Sequence, residues 1–249
     1  LNAFEGGRFR AYTSEHGLAN DTVFRIYEDE AGTLWIGTYG GLSVLRDGQL
    51  RSLTRAQGLF DERIFQILED GQQNLWMSCN KGVFRVAKRE LDEFLAGRVA
   101  GVASVAYGTP DGMRSSECNG NSQPAGWKAR DGTLWFPTTR GAVQVDPARI
   151  RINTQPPPVA IEEVVIDRQP HSPVAPAVAP PGRGEIEIHY AGLSFLEPER
   201  VRFRYRLEGF DQGFVDAGPR RVAYYTNIPP GRYRFVVEAA NGDGVWSEK

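Results

Sequence analysis

The chain has 249 residues, 41% of them hydrophobic and 24% charged, with a formal net charge of -2. That balance gives no field to draw in nucleic acid or an anionic membrane surface, and no stretch reaches the roughly 18 consecutive apolar residues of a membrane-spanning helix. With 28 glycines and 16 prolines spread along the chain and no N-terminal signal pattern, the composition predicts a soluble body of many short strands joined by tight turns.

The first predicted element, Arg8–Thr13, reads as the outermost strand of a unit whose first three strands are missing, so the chain begins inside a repeat. The first full unit starts at Gly17-Leu18. Its strand a, Thr22–Glu28, is apolar on both sides through Val23, Phe24, Ile26 and Tyr27, as a strand packed between two neighbours should be. A hairpin at Asp29–Thr33 leads to strand b, Leu34–Thr38. Gly40-Gly41 turns into strand c, Leu42–Arg46, and Asp47-Gly48 into strand d, Gln49–Thr54.

The same pattern returns at Gly58-Leu59. The pairs Gly17-Leu18, Glu28-Asp29 and Leu34-Trp35 recur at Gly58-Leu59, Glu69-Asp70 and Leu75-Trp76, all offset by 41 with no gap. That period fits a four-stranded propeller blade of about 40–45 residues. A third copy is degenerate at its start and clear at its end, Asp131–Val145, with Trp135 100 residues after Trp35. The extra residues are assigned between copies two and three, at Leu91–Ser104, where a short helix is expected. The repeats thus run near 17–54, 58–90 and 108–150, within a propeller region of residues 1–154. Rings of about four to eight blades bury the flanks of their first and last members. Three copies cannot close one, which favours a piece of a longer polypeptide over blade faces covered by the second domain or by another chain.

At Gln155-Pro156-Pro157-Pro158 the repeat stops, and residues 155–249 form a second domain. Val159–Asp167 reads as a strand, and Pro170–Pro181 as a loop that cannot be a central strand. Alternation then becomes clean. Ile186, Ile188 and Tyr190 share a face. So do Val201, Phe203, Tyr205 and Leu207, and so do Tyr233, Phe235, Val237 and Ala239. Strands buried on one face predict a two-sheet sandwich of immunoglobulin or fibronectin-III type. Arg200, Arg202, Arg204 and Arg206 fall opposite the apolar set and read as a solvated outer face, with Glu197, Glu199 and Glu208 close by. Phosphate or nucleic-acid contact is the alternative. Tyr205, Tyr225 and Tyr233 are expected to be core anchors with wet hydroxyls. The fold class is therefore all-β: a partial propeller of about three blades, then a sandwich.

Candidates for chemistry are few. His16, His171 and His189 lack the spacing of metal ligands, and no nucleophile-elbow or phosphate-loop motif occurs. The carboxylate pairs Glu28-Asp29 and Glu69-Asp70 recur with the repeat, so hairpin hydrogen bonding explains them better than acid–base catalysis. No cofactor, metal or catalytic residue is assigned. Binding is the better class. Strand direction puts the d–a loops and b–c turns on one face. That loop face would carry Asn20, Asp21, Tyr39, Asp61, Arg63, Asn80, Asn119, Asn121 and Arg140, a set suited to a small polyhydroxylated ligand such as an oligosaccharide. The plainer account is that Asn and Asp are there because they make good turns. Cys79 and Cys118 map to that side of adjacent blades. Two buried thiols are expected, with a disulfide as the alternative.

Both halves resemble the extracytoplasmic sensor region of bacterial two-component regulators, in which two-component regulator propeller repeats precede a Y_Y_Y domain. The repeat hallmark is matched by Gly17-Leu18, Asn20, Val23, Ile26, Asp29, Gly32, Leu34-Trp35, Gly37-Thr38 and Gly41-Leu42. The second hallmark is matched by Tyr205-Arg206-Leu207-Glu208-Gly209-Phe210-Asp211, by Tyr225-Thr226-Asn227-Ile228-Pro229-Pro230-Gly231 and Tyr233, and by Ala239-Ala240-Asn241, Asp243-Gly244 and Trp246-Ser247. Phe214 departs from a frequent Trp, and Met77-Ser78-Cys79 from Ile-Gly-Thr. The resemblance implies a non-catalytic periplasmic input module. It would be tied to the membrane only through the parent's transmembrane helix, with a histidine kinase or diguanylate cyclase as output. A small-molecule or oligosaccharide ligand and a homodimer or other self-association are the expected partners. The alternative is a structural or dimerisation module without a ligand of its own.

Overall fold

A repeat whose first strand is apolar on both sides has two faces to bury, and stacked sheets provide that burial. The computed structural model describes residues 1–120, 122–150, 153–179, 181–194 and 198–247, without the Glu199 side chain. It divides into two compact units, Leu1–Ile150 and Arg151–Lys249.

The first unit opens with a hairpin, β1 (Asn2–Glu5) and β2 (Arg8–Ala11). The turn between them is Gly6-Gly7, with φ of 57° and 78°, values that suit glycine. The expected lone strand at Arg8–Thr13 therefore has a partner. All four residues of Asn2–Glu5 are exposed, and a strand with no buried face shows no apolar alternation. The first blade follows as β3 (Val23–Glu28), β4 (Leu34–Thr38), β5 (Leu42–Arg46) and β6 (Gln49–Leu53), paired in that order. The second contains β7 (Gln66–Glu69), β8 (Asn74–Cys79), β9 (Gly82–Ala87) and β10 (Val105–Tyr107). The third, among the described residues, has three strands: β11 (Trp127–Lys128), β12 (Leu134–Thr138) and β13 (Gly141–Val145).

The inserted segment differs from expectation. A helix, α1 (Lys88–Leu95), lies between β9 and β10, so the extra residues interrupt the second blade instead of separating it from the third. The blade's outer strand is Val105–Tyr107, beyond the expected limit at residue 90. The helix docks on the first blade, with Leu91 buried, Arg46 paired to Asp92 at 2.7 Å and Arg51 donating to the Leu95 carbonyl at 2.7 Å.

The three repeat tryptophans occupy equivalent places on the second strands. Trp35 lies opposite Tyr27 and Val44, Trp76 opposite Leu68 and Arg85, and Trp135 opposite Trp127 and Gln144. Each blade's approach loop is also the same, a single 3₁₀ turn at Ser14–His16, Arg55–Gln57 and Thr109–Asp111. Gly17, Gly58 and Gly112 close these turns at φ of 102°, 96° and 94°. The degenerate start of copy three is thus Gly112-Met113. His16 belongs to this device, its Nδ1 accepting from the Thr13 N–H as Gln57 and Asp111 do from Thr54 and Gly108.

The a–b hairpins explain the recurrent carboxylates. Asp29 accepts from the Ala31 and Thr33 N–H groups and from the Trp35 indole at 2.9 Å. Asp70 does the same for Gln72, Asn74 and Trp76. Lys88 adds a charged bridge between blades, 3.0 Å from both Asp29 and Glu69, and Tyr27 donates to Glu69 at 2.9 Å. Burial pushes the Asp29 carboxyl up, but the Trp35 indole, Lys88 and the Thr33 N–H outweigh it and hold the group below its ordinary value. A carboxylate depressed in the fold adds stability above its unfolded value of about 3.9 and loses it as pH falls through the folded value. Denaturant unfolding should therefore show stability falling below about pH 4, and Asp29→Asn should flatten that fall.

The second unit is a two-sheet sandwich. One sheet has the order β15-β14-β16-β19, from β14 (Val159–Ile166), β15 (Gln169–His171), β16 (Ile186–Gly192) and β19 (Val222–Tyr225). The other is β18-β17-β20, from β17 (Arg202–Glu208), β18 (Val215–Gly218) and β20 (Arg234–Ala240). Proline-bearing β15 takes an edge, where a missing N–H costs no ladder bond. Ile188, Tyr190, Val201, Phe203, Tyr205, Leu207 and Ala239 form the core between the sheets.

Two expectations for this unit change. Arg204 and Arg206 are not merely solvated: both guanidinium groups stack on Phe214, at 4.8 and 4.9 Å, and Arg204 also lies 4.3 Å from the Trp246 ring. Arg204 pairs besides with buried Glu238 at 2.6 Å. Phe214 supplies the flat ring on which both guanidinium groups lie. The tyrosine hydroxyls are likewise bonded within the protein. Tyr225 donates to Asp211 at 2.6 Å, Tyr233 to the Pro229 carbonyl at 2.8 Å, and Tyr205 accepts from Arg220 at 3.3 Å. Glu197 lies outside the described residues.

Candidate ligand-binding face

The d–a loops and b–c turns of the first and third blades are tied together by backbone bonds. The Tyr39 N–H donates to the Thr22 carbonyl at 3.0 Å, and the Thr139 N–H to the Glu117 carbonyl at 3.0 Å. Side chains from adjacent blades then meet on this side. Arg63, from the loop before the second blade, stacks on the Tyr39 ring of the first at 4.6 Å. Tyr39 is 46% exposed. Phe24 lies beside it at 6.3 Å and meets Phe65 edge-on at 5.2 Å.

Asn20, Asp21 and Asp61 are committed to the loops themselves. Asn20 accepts from the Thr22 N–H at 2.9 Å, Asp61 from the Arg63 N–H at 3.0 Å, and Ser115 from the Glu117 N–H at 3.2 Å. Asp21 caps the Ser14 N–H at 2.7 Å. Asp61 is also paired with Lys81 at 2.8 Å. Its burial raises its carboxyl, but Lys81 and the Arg63 N–H more than offset this and keep it below the ordinary range. Asn119 and Arg140 are exposed and Asn80 is half-buried. Asn121 lies outside the described residues.

Of the nine candidates, the structure brings Tyr39 and Arg63 into direct side-chain contact. Phe24, Lys81, Ser115 and Thr139 border the same face and were not anticipated. Ser115 was findable, since it stands to Gly112 as Asn20 does to Gly17. Among the described residues, no group of three or more His, Cys, Asp and Glu side chains could hold a metal ion. What the face offers chemically is a flat, exposed aromatic ring backed by a guanidinium, with neutral and charged hydrogen-bonding groups beside it.

Comparison with known proteins places both halves. Residues 17–40 match the two component regulator propeller and residues 194–249 the Y_Y_Y domain. The chain thus carries a two-component regulator propeller segment followed by a Y_Y_Y domain. A similar solved structure is described as the extracellular domain of a hybrid two component system, BT3049, from B. thetaiotaomicron, with 21% identity, TM-score 0.60, and 96% of this chain and 32% of that one covered. The extracellular domain of BT4673 from B. thetaiotaomicron is 15% identical over 96% of this chain and 37% of that one, with TM-score 0.34. The chain spans about a third of the length of these structures. No curated protein matches it. No helix among the described residues is long and apolar enough to cross a membrane.

Proposed function

We propose that this chain is part of the periplasmic, non-catalytic input module of a membrane-bound signalling protein of the histidine kinase or diguanylate cyclase type, and that its loop face takes a polyhydroxylated small molecule, an oligosaccharide in the first instance. The carrying observation is the Tyr39–Arg63 stack, an exposed ring held flat between two blades. Sugar C–H faces stack on such a ring, and Arg63, Asn80, Asn119 and Arg140 would supply the groups that bond hydroxyls. Occupancy becomes a signal only if ligand binds two arrangements of the module with different affinity, typically by about 1–3 kcal/mol. A homodimer or other self-association belongs to this proposal, since an input must reach paired output domains.

Thermal-shift titration of the chain against an oligosaccharide library tests the reading. Saturable stabilisation is expected, reaching about 2.7 kcal/mol when free ligand is 100 times its dissociation constant. Tyr39→Ala should weaken binding about tenfold or more, a loss of about 1.4 kcal/mol, while leaving the unliganded melting temperature nearly unchanged. Silence across the library, together with a stable dimer, would instead favour a structural or dimerisation module.

A further inference from the structure

The two cysteines of this chain stand at one repeat-equivalent pair of positions. At the interface of the first and second blades, the Ile64 N–H donates to the Thr38 carbonyl at 3.0 Å. At the next interface the corresponding bond runs from the Cys118 N–H to the Cys79 carbonyl at 3.2 Å. The chain has 2 cysteines in 249 residues, and both fall on this hydrogen-bonded pair. Their thiols also converge: Cys79 Sγ lies 3.4 Å and Cys118 Sγ 3.6 Å from the same Gly82 carbonyl oxygen. Two sulfurs at 3.4 and 3.6 Å from one oxygen are no more than about 7 Å apart, on residues whose backbones are joined by a hydrogen bond.

We propose that Cys79 and Cys118 form a redox-responsive clip between the second and third blades, held here as two thiols and joined as a disulfide when a disulfide-bearing oxidant is present. Each thiol gives up one proton and one electron, and one Sγ–Sγ bond forms. The oxidant, oxidised glutathione or an oxidoreductase disulfide, loses its own S–S bond and leaves as two thiols. Both cysteines are buried, and burial raises their thiols to about 12 for Cys79 and about 11 for Cys118. Thiolate, the attacking species, is therefore scarce in the closed fold. The exchange runs while the blades are open, during folding or local unfolding. Once formed, the bond fixes one blade to the next at a contact otherwise made by packing and hydrogen bonds.

The test is refolding of the full chain in a glutathione redox buffer, followed by alkylation under denaturing conditions and intact-mass measurement. The proposal expects a product lighter by two hydrogens that takes up no alkylating agent, and a melting temperature several degrees above that of the reduced protein. The native reduced protein, given oxidised glutathione without unfolding, should convert far more slowly. C79S and C118A each remove one sulfur with little change of side-chain volume. Each should fold, lose the cross-link and lose the redox dependence of melting. Wild-type protein that refolds with both cysteines still alkylatable overturns the clip, as does an oxidised form that melts no higher than the reduced one.

Discussion

Replacing Asp70 by alanine is expected to lower the stability of the propeller unit by about 3–5 kcal/mol, because it strands several buried donors at once. Its carboxylate accepts from the Gln72 and Asn74 N–H groups, the Asn74 amide and the Trp76 indole, at 2.8–2.9 Å. Trp76 is 1% exposed and has no water to turn to. The third blade supplies an internal control. There Ala129 stands at the equivalent position, the Trp135 indole bonds Thr133 Oγ1 at 3.2 Å, and Trp135 is 38% exposed. Alanine is tolerated where the indole has another acceptor and reaches solvent, and is costly where it has neither. Asp70→Asn keeps one acceptor oxygen and should fall between wild type and Asp70→Ala in denaturant unfolding.

The same reasoning shows which features the sequence exposes. The gap-free offset between Gly17 and Gly58 makes the first blade and the first three strands of the second legible, because each tight turn carries its own glycine or aspartate. Two-residue alternation made the sandwich core legible from Ile186 to Ala239. The errors arose where a local signal was missing. The helix at Lys88–Leu95 sits inside the second blade, and nothing in Val105–Tyr107 marks so short a strand as that blade's last. Asn2–Glu5 is fully exposed and carries no apolar pattern. Arginines alternating with apolar residues look solvated in one dimension, whereas Phe214 and Trp246 reach Arg204 from elsewhere in the chain. For the loop face, residue type alone could not separate turn-making from ligand-binding. Hydrogen bonds assign Asn20 and Asp61 to turns, and only the ring stack singles out Tyr39 and Arg63.

Truncating Trp76 to alanine is expected to cost about 3–5 kcal/mol, the usual loss for a buried tryptophan, and to lower the melting temperature by roughly 10 °C in a unit of this size. Trp135→Ala should cost no more than about 1 kcal/mol, as surface substitutions do. The two residues share strand, register and hairpin, so intrinsic preference and backbone geometry cancel between them. What differs is the next sheet. Trp76 packs into a cluster with Phe65, Leu68, Met113, Cys118, Leu134 and Phe136, which the third blade completes. Trp135 and its neighbour Trp127, which is 65% exposed, belong to the last sheet of the stack. A blade on this account is stabilised chiefly by the sheet laid over it, because a four-stranded unit cannot bury both of its own faces. Denaturant melts of the two variants decide the matter. Equal losses would mean that each tryptophan acts within its own hairpin, and that stacking between blades is not the principal source of stability.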